Sequence, residues 1–164
     1  MKYEEILPIA ESIKALLAPH CVRIEIAGSI RRKKPECRDI EIVAIPKPFQ
    51  VGLFEDGIAT VVNQWDKVKG ELPCKYTQRI HPSGIKIDLF FAEPGNWGMI
   101  LAIRTGSADY SHGVLARAWV AKGYKGDGGY LTTNGKTYDV PEESDLFKRL
   151  GIPYAAPEER NLYL

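Results

Sequence analysis

The 164 residues predict an α+β fold. Three observations lead to that class. Stretches with apolar residues at every third or fourth position alternate with stretches of period two, the marks of amphipathic helix and half-buried strand. Two strand patterns, at 75–80 and 85–92, are separated only by His81-Pro82-Ser83-Gly84, a tight-turn sequence. A glycine-rich stretch at 123–140, broken by Tyr124, Tyr130-Leu131 and Tyr138, reads as small hairpins. Helices mixed with antiparallel strands in this way belong to α+β architecture.

Taken in order, residues 3–18 carry Ile6, Leu7, Ile9, Ala10, Ile13, Leu16 and Leu17 at helical spacing, with Pro8 tolerable near the first turns. Residues 21–27 alternate, with Val22, Ile24 and Ile26 on one face, and run into Gly28-Ser29. Residues 39–45 alternate again: Ile40, Ile42 and Ala44 face one way, Asp39, Glu41 and Val43 the other, until Pro46 and Pro48 end the strand. A second helix is expected over 53–69, carrying Leu53, Phe54, Ile58, Val61, Val62 and Trp65. In the strand at 85–92, Ile85, Ile87 and Leu89 share one face and Lys86, Asp88 and Phe90 the other. Helices follow at 95–104 and 107–122, the latter capped by Ser107 and stopped by Gly123. A last helix spans 142–150. The change of style near residue 104 divides the chain into 1–104 and 105–164.

Composition narrows the function classes. With 45% hydrophobic and 26% charged residues the chain is an ordinary globular sequence, and 15 Gly and 11 Pro are spread without low complexity. No apolar run approaches the roughly 18 residues of a membrane helix. The start Met1-Lys2-Tyr3-Glu4-Glu5 has acids where a signal peptide is apolar, so a cytoplasmic protein is expected. Three cysteines (Cys21, Cys37, Cys74) without CxxC spacing argue against a disulfide framework or thiolate zinc site. His20, His81 and His112 lack ligand spacing, and Trp65, Trp97 and Trp119 sit at helical positions suited to a core. The 22 basic and 21 acidic residues leave a net charge of +1, but 31–38 holds Arg31, Arg32, Lys33, Lys34 and Arg38 against Glu36 alone. That segment is either a solvated loop or an anion site.

The chemistry-bearing residues are three acids in apolar strands. Asp39 and Glu41, two apart in one strand, project from the same face, and Asp88 interrupts another. Singly, each reads as the solvent side of a half-exposed strand. Together they put adjacent carboxylates on one patch, which needs a compensating cation, and oxygen donors without His or Cys favour Mg²⁺ or Mn²⁺ over zinc. Gly28-Ser29 lies eleven residues before Asp39 and offers backbone N–H groups and close approach to a phosphate, beside Arg31, Arg32 and Arg38. Phosphate site and metal site side by side are what phosphoryl transfer requires.

Gly28-Ser29-Ile30-Arg31-Arg32, Asp39-Ile40-Glu41-Ile42 and Ile87-Asp88-Leu89 resemble the nucleotidyltransferase signature, and the double arginine is similar to the DNA polymerase β family, family X. Arg104-Thr105-Gly106-Ser107, Lys122-Gly123-Tyr124, Asp145-Leu146-Phe147, Leu150-Gly151-Ile152-Pro153-Tyr154 and Pro157-Glu158-Glu159-Arg160 extend the resemblance over nearly the whole chain. It implies a palm of mixed sheet and helices at 1–104 and a small C-terminal helix and hairpin subdomain at 105–164 that closes on the nascent base pair, the two-part layout of short viral members. No lyase or helix-hairpin-helix module is expected.

The resemblance also implies roles. Asp39, Glu41 and Asp88 would bind two Mg²⁺ ions, for which Mn²⁺ can substitute, with Asp88 beside the primer 3′-OH and Lys86 near the primer end. Gly28, Ser29, Arg32 and Arg38 would hold the β- and γ-phosphates. Gly106 and Ser107 would form a turn under the sugar, where a strained peptide is one expectation, and Tyr110 and Ser111 would face the nucleotide. Lys122 and Lys125, around a glycine turn, are candidate DNA contacts, with solvated lysines the plain alternative. Departures are Glu41 where the polymerases usually have Asp, Ile103-Arg104 in place of an aromatic pair, and Leu115 where a template-contacting Arg is common. The expected protein is a monomeric, template-directed DNA polymerase that takes dNTP and gapped or primer-template DNA for repair synthesis. A template-independent transferase acting on DNA or RNA ends, or a non-catalytic nucleic-acid binder, are the alternatives.

Overall fold

In the computed structural model, which describes residues 1–161, the chain forms two units, Met1–Ala92 and Glu93–Leu164. The first opens with helix α1 (Tyr3–Leu17), whose buried stripe Ile6, Ala10, Ile13 and Leu17 follows the three- and four-residue spacing of one helix face. Pro8 lies inside the helix without ending it. A short 3₁₀ turn leads to β1 (Cys21–Ile26), then the short helix α2 (Gly28–Arg31), β2 (Ile40–Pro46), α3 (Ala59–Val62), β3 (Asp66–Lys69), β4 (Tyr76–Ile80) and β5 (Lys86–Phe91). The five strands make one sheet in the order β1-β2-β5-β4-β3, with β2 and β5 parallel and the other pairs antiparallel.

The alternation in the sequence sets the two faces of this sheet. Ile26, Ile40, Ile42, Ala44, Ile87 and Leu89 join the stripe of α1 in one apolar core, and Ile24 packs against it. Glu41, Asp88 and Gln78 then fall on the opposite face by period two. Two expectations need correction. A bulge between Cys21 and Arg23 breaks the register with β2, and Val22, expected on the buried face, is 67% exposed. The helix expected over 53–69 shrinks to α3. Gly57 at φ +59 interrupts the helical path, Leu53 and Phe54 are exposed, and the alternating 66–69 pairs with β4 as an edge strand carrying Lys67 and Lys69.

The second unit contains α4 (Trp97–Thr105), α5 (Ala108–Tyr110), π-helical turns at Ser111–Ala116, α6 (Arg117–Ala121) and α7 (Glu143–Leu150). Strands β6 (Lys125–Asp127), β7 (Tyr130–Thr133) and β8 (Lys136–Tyr138) form the expected antiparallel hairpins. Its core includes Met99, Ala102, Tyr110, Leu115, Leu131 and Phe147. Since α4 supplies Met99 and Ala102 to that core, the boundary falls at Ala92 and Glu93, ahead of the 104/105 division read from the sequence. Ser107 caps the helix that follows it, accepting a hydrogen bond from the Tyr110 backbone N–H at 3.1 Å. Gly151, in the left-handed conformation at φ +68, ends α7. Arg160, fully buried, donates to Glu143 of α7, which neutralises both charges inside the unit. Trp97 is buried and Trp119 packs partly buried against the second core, as their helical spacing implied, whereas Trp65 is buried although it lies beyond the end of α3.

Candidate functional site

The polar face of the first sheet collects the three acids. Glu41 on β2 stands opposite Asp88 on β5 in the parallel pair, and Asp39, just ahead of β2, lies near enough to Asp88 for their charges to interact. Each acid has its own surroundings. Asp88 is 8% exposed, and its Oδ1 accepts from the Tyr76 hydroxyl at 2.6 Å and from Gln78 Nε2 at 2.8 Å. Asp39 is half-buried, and its carboxyl is pushed above the usual range by burial and then by the charge of Asp88, against the opposing pull of Lys86 and Arg38. Glu41 lies against the backbone of the preceding turn: a Cβ built on Gly28 would fall 1.7 Å from its Oε2. Gly28 is at φ +61, so both the conformation and the close approach call for glycine.

Gly28 and Ser29 open α2 directly after β1, and the Ala27 N–H donates to the Glu41 carbonyl at 2.8 Å, which ties this turn to β2. Arg32 follows, half-buried. Burial lowers the pKa of its guanidinium and the nearby Glu41 carboxylate opposes that shift. Arg38 and Lys86 are exposed beside Asp39, and Lys33 and Lys34 are exposed in the basic loop. Cys37, in the same loop, is buried at 2% exposure, with its thiol donating to the Lys34 carbonyl at 3.5 Å. A carboxylate surface flanked on two sides by guanidinium and ammonium groups therefore forms from residues 28–41 and 86–88.

By donor chemistry the trio suits a hard divalent cation such as Mg²⁺ or Mn²⁺, since all its donors are carboxylate oxygens on one face. The acids do not close on each other: among the described residues no three His, Cys, Asp or Glu side chains come near enough to hold a metal ion together.

The other expected residues lie in the second unit and have mainly local partners. Gly106 and Ser107 are extended (φ −65 and −61), so the turn carries no left-handed strain. The Ser107 N–H donates to the Arg160 carbonyl at 2.9 Å and its hydroxyl to the Asn161 carbonyl at 2.5 Å. The Ser111 hydroxyl donates to the Ile103 carbonyl at 2.8 Å. Tyr110, expected to face a nucleotide, is 5% exposed within the second core, and burial pushes its phenol pKa up. Helical periodicity points its ring inward, which outweighs the reading from the motif. Lys122 and Lys125 are exposed. The Lys122 ammonium lies by Gly151 at the C-terminal end of α7, where a cation is favoured, and Lys125 lines a polar cavity of about 470 Å³ with Asp127 and Thr132.

Sequence reasoning missed Tyr76 and Gln78. The turn read at His81–Gly84 would pair Ile80 with Ile85 and set Thr77 opposite Asp88; the observed loop is one residue longer, Ile80 pairs with Lys86, and Gln78 therefore stands opposite Asp88. Among the described residues no helix is long and apolar enough to cross a membrane. In comparison with known proteins, no family model and no curated sequence matches the chain.

Proposed function

We propose that the protein is a nucleotidyltransferase of the DNA polymerase β type, a template-directed DNA polymerase that uses dNTP and gapped or primer-template DNA. The observation that carries this reading is the row on the polar face: Glu41 opposite Asp88 across parallel strands, Asp39 two residues away, and Gly28 with Arg32 beside Glu41. A binding protein has no use for three acids beside a phosphate-binding loop, because they would repel the ligand.

In this reading the primer 3′-oxygen attacks the α-phosphorus of the dNTP, the new O–P bond forms as the bond to the β-phosphate breaks, and pyrophosphate leaves. Asp39, Glu41 and Asp88 would hold two Mg²⁺ ions. Those ions, when bound, would favour loss of the 3′-OH proton and offset charge on the triphosphate. Asp88 stands beside the 3′-OH and helps draw off its proton. Gly28 makes room for the Glu41 carboxylate, Ser29 and the turn it opens would receive the phosphates, Arg32 and Arg38 would neutralise their charge, and Lys86 would lie toward the primer end. Catalysis comes from positioning and electrostatics on a preformed sheet.

Primer extension on single-nucleotide-gapped, open-template and template-free DNA, with dNTPs and NTPs in parallel, tests the reading. Extension dictated by the template base and dependent on Mg²⁺ is expected. Extension without a template moves the protein to end-adding transferases, and no extension on any substrate removes the enzyme. Asp88→Ala is expected to abolish incorporation and keep the fold, since the core lies on the other face of β5. A folded Asp88→Ala protein with full turnover overturns the mechanism.

A further inference from the structure

The polar face has a feature beyond the three acids. One transverse row crosses three strands: Glu41 on β2, Asp88 on β5, and Gln78 on β4. Next along β4, on the same face, Tyr76 stands opposite Phe90, and their rings stack at 4.8 Å. The stack fixes the tyrosine ring, so its hydroxyl reaches Asp88 from an anchored position. Tyr76 and Gln78 donate to the same atom, Oδ1 of Asp88, at 2.6 and 2.8 Å. Asp88 is 8% exposed, so water competes weakly for that oxygen. Two converging donors on one oxygen lock the side-chain rotamer and leave the second oxygen for another partner. The opposite face of the same strands, with Ile87 and Leu89, carries the core, so the sheet does not rely on these two contacts.

We propose that Tyr76 and Gln78 are positioning residues for Asp88, holding its Oδ1 so that Oδ2 is left to meet a divalent cation. The inference rests on the nucleotidyltransferase reading for the purpose of that cation, and on the hydrogen bonds for its placement. Neither side chain touches substrate; both act through Asp88. Outer partners of a ligating carboxylate commonly change metal affinity or activity by about 10–100-fold when removed.

The test is Mn²⁺ binding by the free protein, read from the paramagnetic resonance signal of unbound Mn²⁺, for wild type, Tyr76→Phe, Gln78→Leu and the double variant. Tyr76→Phe keeps the ring stack and deletes only the donor. Expected is a Mn²⁺ dissociation constant raised about tenfold or more in the double variant, less in each single one, with the thermal midpoint near that of wild type. The Mg²⁺ concentration for half-maximal primer extension rises in parallel, and the nucleotide KM at saturating Mg²⁺ stays put. A folded double variant that binds Mn²⁺ like wild type overturns the proposal, as does a wild type that binds none. If the double variant does not fold, Tyr76→Phe decides by the same criterion. Wild type that binds Mn²⁺ with the expected dependence on Tyr76 and Gln78, yet extends no primer, upholds the positioning role and removes the polymerase reading alone.

Discussion

Gly28 shows how closely the turn after β1 approaches the polar face. A methyl group there would meet the Glu41 carboxylate, with Oε2 at 1.7 Å and Cδ at 2.7 Å from the new carbon. It would also have to sit at φ +61, which costs an L-residue about 1–2 kcal/mol. Gly28 is buried, so the added methyl can be accommodated only by moving the end of the Glu41 side chain, and that displaced group is one of three acids. Gly28→Ala is therefore expected to fold with a stability loss of about 1–2 kcal/mol in urea denaturation, and to lose most of its metal-dependent incorporation. Full incorporation in this variant would mean that the place of Glu41 against residue 28 is irrelevant to the chemistry.

The β4–β5 hairpin carries a pH dependence in its turn. His81 packs edge-on against Trp65, with ring centroids 5.9 Å apart, and its Nδ1 lies 2.8 Å from the Ser83 hydroxyl oxygen. Burial holds its pKa below the ordinary 6.5. The unfolded chain therefore binds a proton that the folded chain releases, so this contribution is full above about pH 6.5 and is lost as pH falls below it. Urea midpoints at pH 7.5 and 5.5 should fall further for wild type than for His81→Gln; an equal fall in both proteins would place the dependence elsewhere. The same hairpin shows what was legible in the sequence. Period two in 39–45 and 85–92 assigned the faces of Asp39, Glu41 and Asp88 because the buried side is continuous Ile, Leu and Ala. Tyr76 and Gln78 escaped because nothing in β4 alone marks a donor; their role exists only across strands. The 53–69 segment misled because apolar residues at helical spacing were counted without weighing Gly57, whose positive φ interrupts the helical path, so Leu53 and Phe54 fall in an exposed loop. Tyr110 misled in the opposite sense: a motif suggested a ligand face where the helix buries the ring.

Over the whole molecule, charge sets how DNA would be held. With a net charge of +1 the protein has no general attraction for a polyanion, so binding must come from local cations. The five basic residues of 31–38 are the densest group, and Lys86, Lys122 and Lys125 are exposed besides. Opposing them are the acids of the polar face, which, under the proposed function, would repel phosphate unless a divalent cation covered them. Two consequences follow from the same balance. Affinity for duplex with a single-nucleotide gap should fall with salt on a log–log slope of roughly −3 to −5, as about four or five neutralised phosphates require at 0.9 per contact. Adding Mg²⁺ at constant ionic strength should strengthen binding, because it turns a repulsive patch into a bridge, whereas a simple basic-patch binder would lose affinity to the competing cation. Fluorescence anisotropy of labelled gapped DNA between 50 and 200 mM salt, with and without Mg²⁺, measures both. A slope near zero would remove DNA as the partner. A slope in the expected range with Mg²⁺ only weakening binding would leave the basic loop as a DNA contact and take the three acids out of the interface.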